Sequence, residues 1–224
     1  MIITKQKAVD DIIRALKGAK STFIFGCGDC ATLCRTGGTK EIGEMTEILN
    51  QNGISVTGSS VPKATCHELD VQRLLRAHKE QVARAESVLV LACGAGIQAV
   101  GDSITKPVVS GCDSLFIGNS RRQMQFSEKC SVCGECVLNE NAGLCPETRC
   151  PKGMQNGPCG GAVRGRCEVD SSLPCVWIEI YERMRAFGRL DEMRRVRGPK
   201  NRKVAARPHR MGNWPSVRGD DGNV

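Results

Sequence analysis

No apolar run in these 224 residues approaches the roughly 20 that a membrane-spanning helix requires. Aromatics are scarce: five Phe, two Trp and one Tyr, only 4% of the chain, so large rings cannot anchor every core. The opening MIITKQKAVDDIIRALKG interrupts its apolar positions with charges and has no continuous hydrophobic stretch, unlike a secretory signal. Catalytic patterns are missing too. His67, His78 and His209 are dispersed, no Ser/His/Asp order or nucleophile elbow occurs, and there is no G-x-G-x-x-G or Walker loop. Cys93, in ACGAG, has no nearby histidine to make it a nucleophile. These absences exclude a spanning helix, argue against export, and leave no evident machinery for transforming an organic substrate.

What the chain has in excess is cysteine. It holds 14, within an otherwise ordinary globular composition of 40% hydrophobic and 25% charged residues. A cytoplasmic chain keeps its thiols reduced, so the expected role of these cysteines is metal ligation rather than disulfide formation. The net charge of +8 is also localised. Residues 1–182 are neutral, and residues 183–224 hold 12 basic against 4 acidic side chains. A basic tail is one mark of nucleic-acid binding. Here it has one aromatic, Trp214, and no RNA-binding motif, so a partner subunit is the expected target rather than nucleic acid.

The first 120 residues alternate in period. Val9, Ile12, Ile13 and Leu16 form the stripe of an amphipathic helix, and STFIFGC follows as a buried strand. Residues 39–50 read as a helix with Thr39 as N-cap, ISVTGSS as a strand and 67–86 as one long helix. SVLVLAC, a short helix 94–104 and PVVSGC complete a β-α-β-α-β-α-β order. The pattern predicts an α/β fold, flavodoxin-like or Rossmann-like, with a parallel sheet of about four strands in the order 2-1-3-4. A cysteine-rich, loop-rich domain is expected at 121–188, closed by a helix near 175–190, and a basic partner-binding tail at 189–224.

In open parallel sheets, ligands bind beyond the carboxyl ends of the strands, where strand order reverses. Cys27, Cys30 and Cys34 fall after the first predicted strand, Cys66 after the second, and Cys93 and Cys112 at the ends of the third and fourth. The loop GCGDCATLCRTGG has glycines that let backbone wrap a compact anion. An iron–sulfur cluster held by thiolates is such an object. The expected ligands are Cys27, Cys30 and Cys34 with Cys93 as the fourth, and Cys66 as the alternative; Cys66 and Cys112 have a purely structural reading as well.

Residues 127–175 are poor in apolar side chains and contain eight of the cysteines. Cys130, Cys133 and Cys136 form C-x2-C-x2-C, the spacing of bacterial ferredoxins, but the x3-C-P continuation is replaced by Cys145, Cys150, Cys159, Cys167 and Cys175. Eight thiolates suit two [4Fe–4S] clusters, making two to three in the chain, or two structural zinc sites. Ferredoxin logic groups Cys130, Cys133 and Cys136 with Cys175, and leaves Cys145, Cys150, Cys159 and Cys167 for the second site. In the closing helix, Val176, Ile180, Met184 and Phe187 form one stripe. Trp177 and Tyr181, with Arg194 and Arg195 beyond, are the expected partner-binding residues.

The segments CPKGMQNGPCGG, GRCEV and CVWIEIYERM resemble the cysteine-rich C-terminal domain of methylenetetrahydrofolate reductases. With the CGDCATLCRTGG loop, residues 20–188 resemble the small iron–sulfur subunit that accompanies a flavin-bearing barrel subunit in acetogens. The resemblance implies a cytoplasmic reductase of the Wood–Ljungdahl pathway that converts methylene-tetrahydrofolate to methyl-tetrahydrofolate. It implies that the flavin sits on the barrel partner, and that this chain relays electrons from a donor such as ferredoxin or a larger electron-transfer complex.

Overall fold

A computed structural model describes residues 1–16 and 18–209. The chain divides into two compact units, Met1–Lys129 and the part from Cys130 onward. Trp214 lies outside the described residues, as does the end of the basic tail.

The first unit is built on a four-stranded parallel sheet. β2 (Ser21–Phe25) lies between β3 (Ser55–Ser60) and β4 (Ser87–Val90), and β5 (Val108–Ser110) follows β4, giving the order β3-β2-β4-β5. This is the predicted 2-1-3-4 arrangement, with β1 still to be placed. β2 and β4 are buried almost end to end, as strands covered on both faces must be. One face packs Ile24, Leu89 and Leu91 on Ile12, Leu16, Met45 and Leu49; the other packs Phe23, Phe25 and Val90 on Val71, Val82 and Val100. The helices delivering these side chains are α1 (Val9–Ala15), α3 (Thr39–Gln51), α4 (Glu68–Ala77), α5 (Lys79–Arg84) and α6 (Gly94–Ser103).

Three local readings change. The expected helix 67–86 is two, broken at His78, whose Nδ1 pairs with Gln81 Oε1 at 2.6 Å. Thr39 is the first helical residue rather than the cap: Gly38 precedes it, and Glu41 accepts from the Gly38 N–H at 2.8 Å. PVVSGC does not run as one strand to Cys112. β5 stops at Ser110, and Cys112 opens β6 (Cys112–Arg122), which belongs to a second sheet.

That second sheet is antiparallel, ordered β1-β6-β7, with β1 (Ile2–Gln6) paired to β6 and β7 (Gln125–Cys130) on its far side. It carries the first unit past residue 120 to Lys129. No amphipathic alternation announces it: β7 is almost wholly exposed and β6 mostly so.

The second unit has little regular structure. α7 (Pro146–Arg149) is one turn, and α8 (Val176–Ala186) is the only long helix among its described residues. Its core is small: Leu144, Val176, Trp177, Ile180 and Met184, with Cys150, Met154 and Cys175 packed against them. The predicted stripe of α8 therefore holds as far as Met184, whereas Phe187 is 60% exposed at the helix end.

Candidate metal centres

The cysteine loop of the first unit leaves β2 at Gly26 and turns through a single helical turn, α2 (Cys30–Leu33). Two backbone approaches hold it. A Cβ on Gly37 would stand 1.8 Å from Leu91 O, and one on Gly26 would stand 2.3 Å from Gly37 O, so neither position admits a side chain. Cys27 N–H donates to Gly37 O at 2.8 Å and Gly28 N–H to Pro62 O at 2.8 Å, which ties the loop to the segment after β3. β1 braces the other side: Thr4 and Thr36 hydroxyls meet at 2.6 Å, and the Cys34 thiol donates to Ile2 O at 3.9 Å.

At the carboxyl edge of the parallel sheet, Cys27 lies within electrostatic reach of Cys30 and of Cys66, and Cys66 within reach of Cys93. Burial pushes the Cys30 thiol up, and Asp29 and Cys27 add to the rise. Burial raises Cys66 too, reinforced by Cys93, Cys27 and Asp29. Cys93 caps α6, whose first amide, Gly94 N–H, donates to Ser114 Oγ at 2.8 Å. Cys34 is 2% exposed, with its thiol on the Ile2 carbonyl. Cys112 is a core thiol: it donates to Thr36 O at 3.5 Å, and burial pushes its pKa up to about 12.

In the second unit, four of the eight cysteines come to one place: Cys150, Cys159, Cys167 and Cys175 line one narrow cavity, together with Arg149, Lys152, Glu168 and Trp177. The expected partition had placed Cys175 with the C-x2-C-x2-C triplet instead; the structure sets it beside Cys167. The reason is local: residues 163–175 fold back on themselves, with Val163 and Arg166 bridged, Cys167 N–H on Leu173 O at 2.9 Å and Cys175 N–H on Gly165 O at 2.9 Å. The return of the chain carries Cys175 to Cys167.

The triplet is served by the segment that follows α8. Lys200 Nζ donates to Cys133 Sγ at 3.0 Å, and this bond lowers the Cys133 pKa against the opposing effect of burial. Burial opposes the charge on Lys200, whose side chain is 8% exposed, yet Cys133, Glu147 and Cys145 outweigh it and its pKa rises. Glu147 stands 3.7 Å from Lys200 and 3.0 Å from Arg202, accepts from Gln155, and is held below the usual carboxylate range despite burial. Within the triplet, Val132 N–H donates to Cys130 Sγ at 3.3 Å, from a turn with Val132 and Gly134 at positive φ. Sequence reasoning missed Lys200 and Glu147, which looked like ordinary tail and loop charges.

Of the expected partner-binding residues, Trp177 is instead 4% exposed in the core of its own unit, with Nε1 donating to Met154 O at 3.0 Å. Tyr181 is 43% exposed, with the Arg185 guanidinium over its ring, and Arg194 and Arg195 are exposed.

Residues 109–203 match the family model described as methylene-tetrahydrofolate reductase C terminal. The match covers under half of the chain. It takes in every cysteine of the second unit and reaches Lys200 and Arg202, but leaves Cys27, Cys30, Cys34, Cys66 and Cys93 outside. No curated protein and no solved structure matches the chain.

Both units thus offer sets of thiols, the donor chemistry of iron–sulfur clusters and thiolate zinc. Among the described residues, no three His, Cys, Asp or Glu side chains stand at metal-ligand spacing. No described helix is long and apolar enough to cross a membrane.

Proposed function

We propose that this chain is an electron-relay subunit of a methylenetetrahydrofolate reductase, working in the cytoplasm beside a flavin-bearing barrel subunit. The observation that carries the reading is the chain of neighbouring thiols Cys30–Cys27–Cys66–Cys93 at the carboxyl edge of the parallel sheet, where strand order reverses between β2 and β4. The family match over residues 109–203 supplies the link to the reductase.

A [4Fe–4S] cluster bound there supplies reversible one-electron transfer. Cys27, Cys30 and Cys93 would hold it, with the fourth thiolate from Cys34 or Cys66. The residues of the chain shape the loop and set the charge around the site. Gly26 and Gly37 permit the close backbone wrap, β1 and α6 close two sides, and Asp29 biases the local potential downward. The second unit, with Cys133 and Cys145 near Lys200 and with Cys130 and Cys136 in the same C-x2-C-x2-C run as Cys133, has the thiol composition of a further relay point. Ferredoxin or a larger electron-transfer complex is the upstream donor in this reading, and the partner holds flavin and folate.

Anaerobic purification tests it. The protein should be brown, with a broad visible absorption that bleaches with dithionite, and should pass electrons to the flavin of the barrel subunit. Cys27→Ala, Cys30→Ala and Cys93→Ala should each remove iron equivalent to one cluster and leave the second unit loaded. A colourless protein with zinc but no iron would overturn the relay.

A further inference from the structure

The segment after α8 carries seven Lys and Arg between Met193 and His209, and no acidic residue. Three of these cations are spent locally: Arg197 on Asn141 and Gln155, Lys200 on Cys133 and Glu147, and Arg194 on Asp191. Arg202 stands 3.0 Å from Glu147, but its side chain is 68% exposed against 12% for the carboxylate, so the pair shows solvent its positive end. Lys203 and Arg207 are exposed, and among the described residues neither side chain makes an ion pair or hydrogen bond. Arg202, Arg207 and His209 line a cavity of about 240 Å³ together with Val132, Cys133 and Glu147. The segment is fixed in place there. Asn201 N–H donates to Glu135 Oε2 at 3.0 Å, and Val204 lies so close to Gly134 that a Cβ on the glycine would stand 2.7 Å from it. Cys130 and Cys136 of the adjoining triplet are exposed, whereas Cys27, Cys34 and Cys93 of the first unit are buried.

We propose that the cationic rim of Arg202, Lys203, Arg207 and His209 beside Cys133 is the docking surface for an acidic electron-carrier protein, and that electrons enter the chain here. The inference rests on the relay reading and adds to it the point of entry and the chemistry of the donor's face. Separated cations around an exposed apolar residue, Val132, fit a protein face that carries several carboxylates around a small apolar contact. A small anion needs convergent donors, and the inner ones, Lys200 and Arg202, are already engaged by Glu147. Residues 193–209 have no aromatic side chain on which a nucleic-acid base would stack. A transient carrier also gains most from the arrangement, because opposite charge speeds the encounter and an outward-facing thiol triplet shortens the path once the two have met. In the step itself the carrier loses one electron and the chain gains it; no bond forms or breaks and no proton moves.

The test uses the full chain, purified anaerobically without the barrel subunit, and ferredoxin as the acidic probe. Calorimetry with oxidised ferredoxin should show binding that weakens as salt rises. Lys203→Glu and Arg207→Glu should each weaken it about tenfold at low salt, with the difference closing at high salt. Stopped-flow reduction by reduced ferredoxin should slow by the same factor, while reduction by the methyl viologen radical cation should be unchanged or faster. Iron content and circular dichroism should match the wild type. A wild type that does not bind ferredoxin, variants that bind it equally, binding abolished by phosphate at constant ionic strength, or preferential binding of duplex DNA would each overturn the surface and leave a brown, dithionite-reducible relay standing. A colourless, iron-free chain that still binds ferredoxin through Lys203 and Arg207 would overturn the relay and support the surface.

Discussion

Two residues show how differently the fold treats a sulfur. Cys112 is neutral and buried, so its stability contribution follows from its raised pKa. An unfolded thiol ionises near 9 and the folded one near 12. The protonated form is therefore favoured by folding: the contribution is complete below pH 9 and is lost as pH rises from 9 towards 12. Cys112→Ala should cost about 1 kcal/mol at neutral pH, leave iron and zinc contents unchanged, and flatten the alkaline limb of the stability profile measured by denaturant melts from pH 8 to 11. A variant that lost metal would mean Cys112 is a ligand. Cys133 is the opposite case, paired with the Lys200 ammonium at 3.0 Å. Lys200→Met removes a positive donor from the Cys133 sulfur, a ligand in the proposed second-unit centre, and one of two cationic partners from Glu147. It should lower the reduction potential of the second-unit centre in a spectroscopically monitored titration and destabilise that unit by about 1–3 kcal/mol. An unchanged potential would separate Lys200 from the centre.

At the scale of elements, periodicity revealed what is buried on one stripe or on both faces, and little else. β2, β4, α3 and the parallel order were legible because Phe23, Ile24, Leu89 and Val90 form continuous apolar runs between amphipathic helices. The sheet β1-β6-β7 was not, because β6 and β7 stay mostly exposed and their residues alternate in neither burial nor polarity. That omission touched the site, since β1 braces the cysteine loop through Thr4 and Ile2. The position of the cysteines was legible from the strand ends, but their grouping in the second unit was not: it depends on a fold-back at 163–175 that leaves no period to read. The tightest contact in the first site is also local. Gly37→Ala would drive a methyl group into the Leu91 carbonyl, a backbone atom that cannot rotate away. It should cost about 2–4 kcal/mol and strip metal from the first unit alone, read as iron content and thermal melting. A variant of wild-type stability and iron content would show that the loop is free to move off β4.

At the scale of the whole molecule, the second unit has five buried apolar residues in its core among the described residues, and a segment so poor in burial cannot offset its chain entropy unaided. Chelation should therefore abolish protease resistance across 130–175 while the first unit keeps its circular dichroism. The same scarcity explains the basic segment after α8. Residues 183–224 hold the entire net charge, which suggests a solvated arm for an acidic partner surface. Part of that arm is instead internal structure: Arg197 donates to Gln155 O at 2.5 Å and to Asn141 Oδ1 at 3.3 Å, while Lys200 and Arg202 close on Glu147. The two roles separate by where the chain is cut. Removing 204–224 leaves Arg197, Lys200 and Arg202 in place, so metal content should be retained while association with the barrel subunit weakens, most at low salt, where the wild-type tail is least screened. Removing 190–224 takes those anchors as well, and metal should be lost from the second unit together with association. If the longer deletion kept full metal, the segment 195–203 would be a tether and not a wall of the site; if the shorter deletion bound its partner equally at every ionic strength, the docking surface would lie elsewhere, with exposed Tyr181 and Phe187 the next residues to replace.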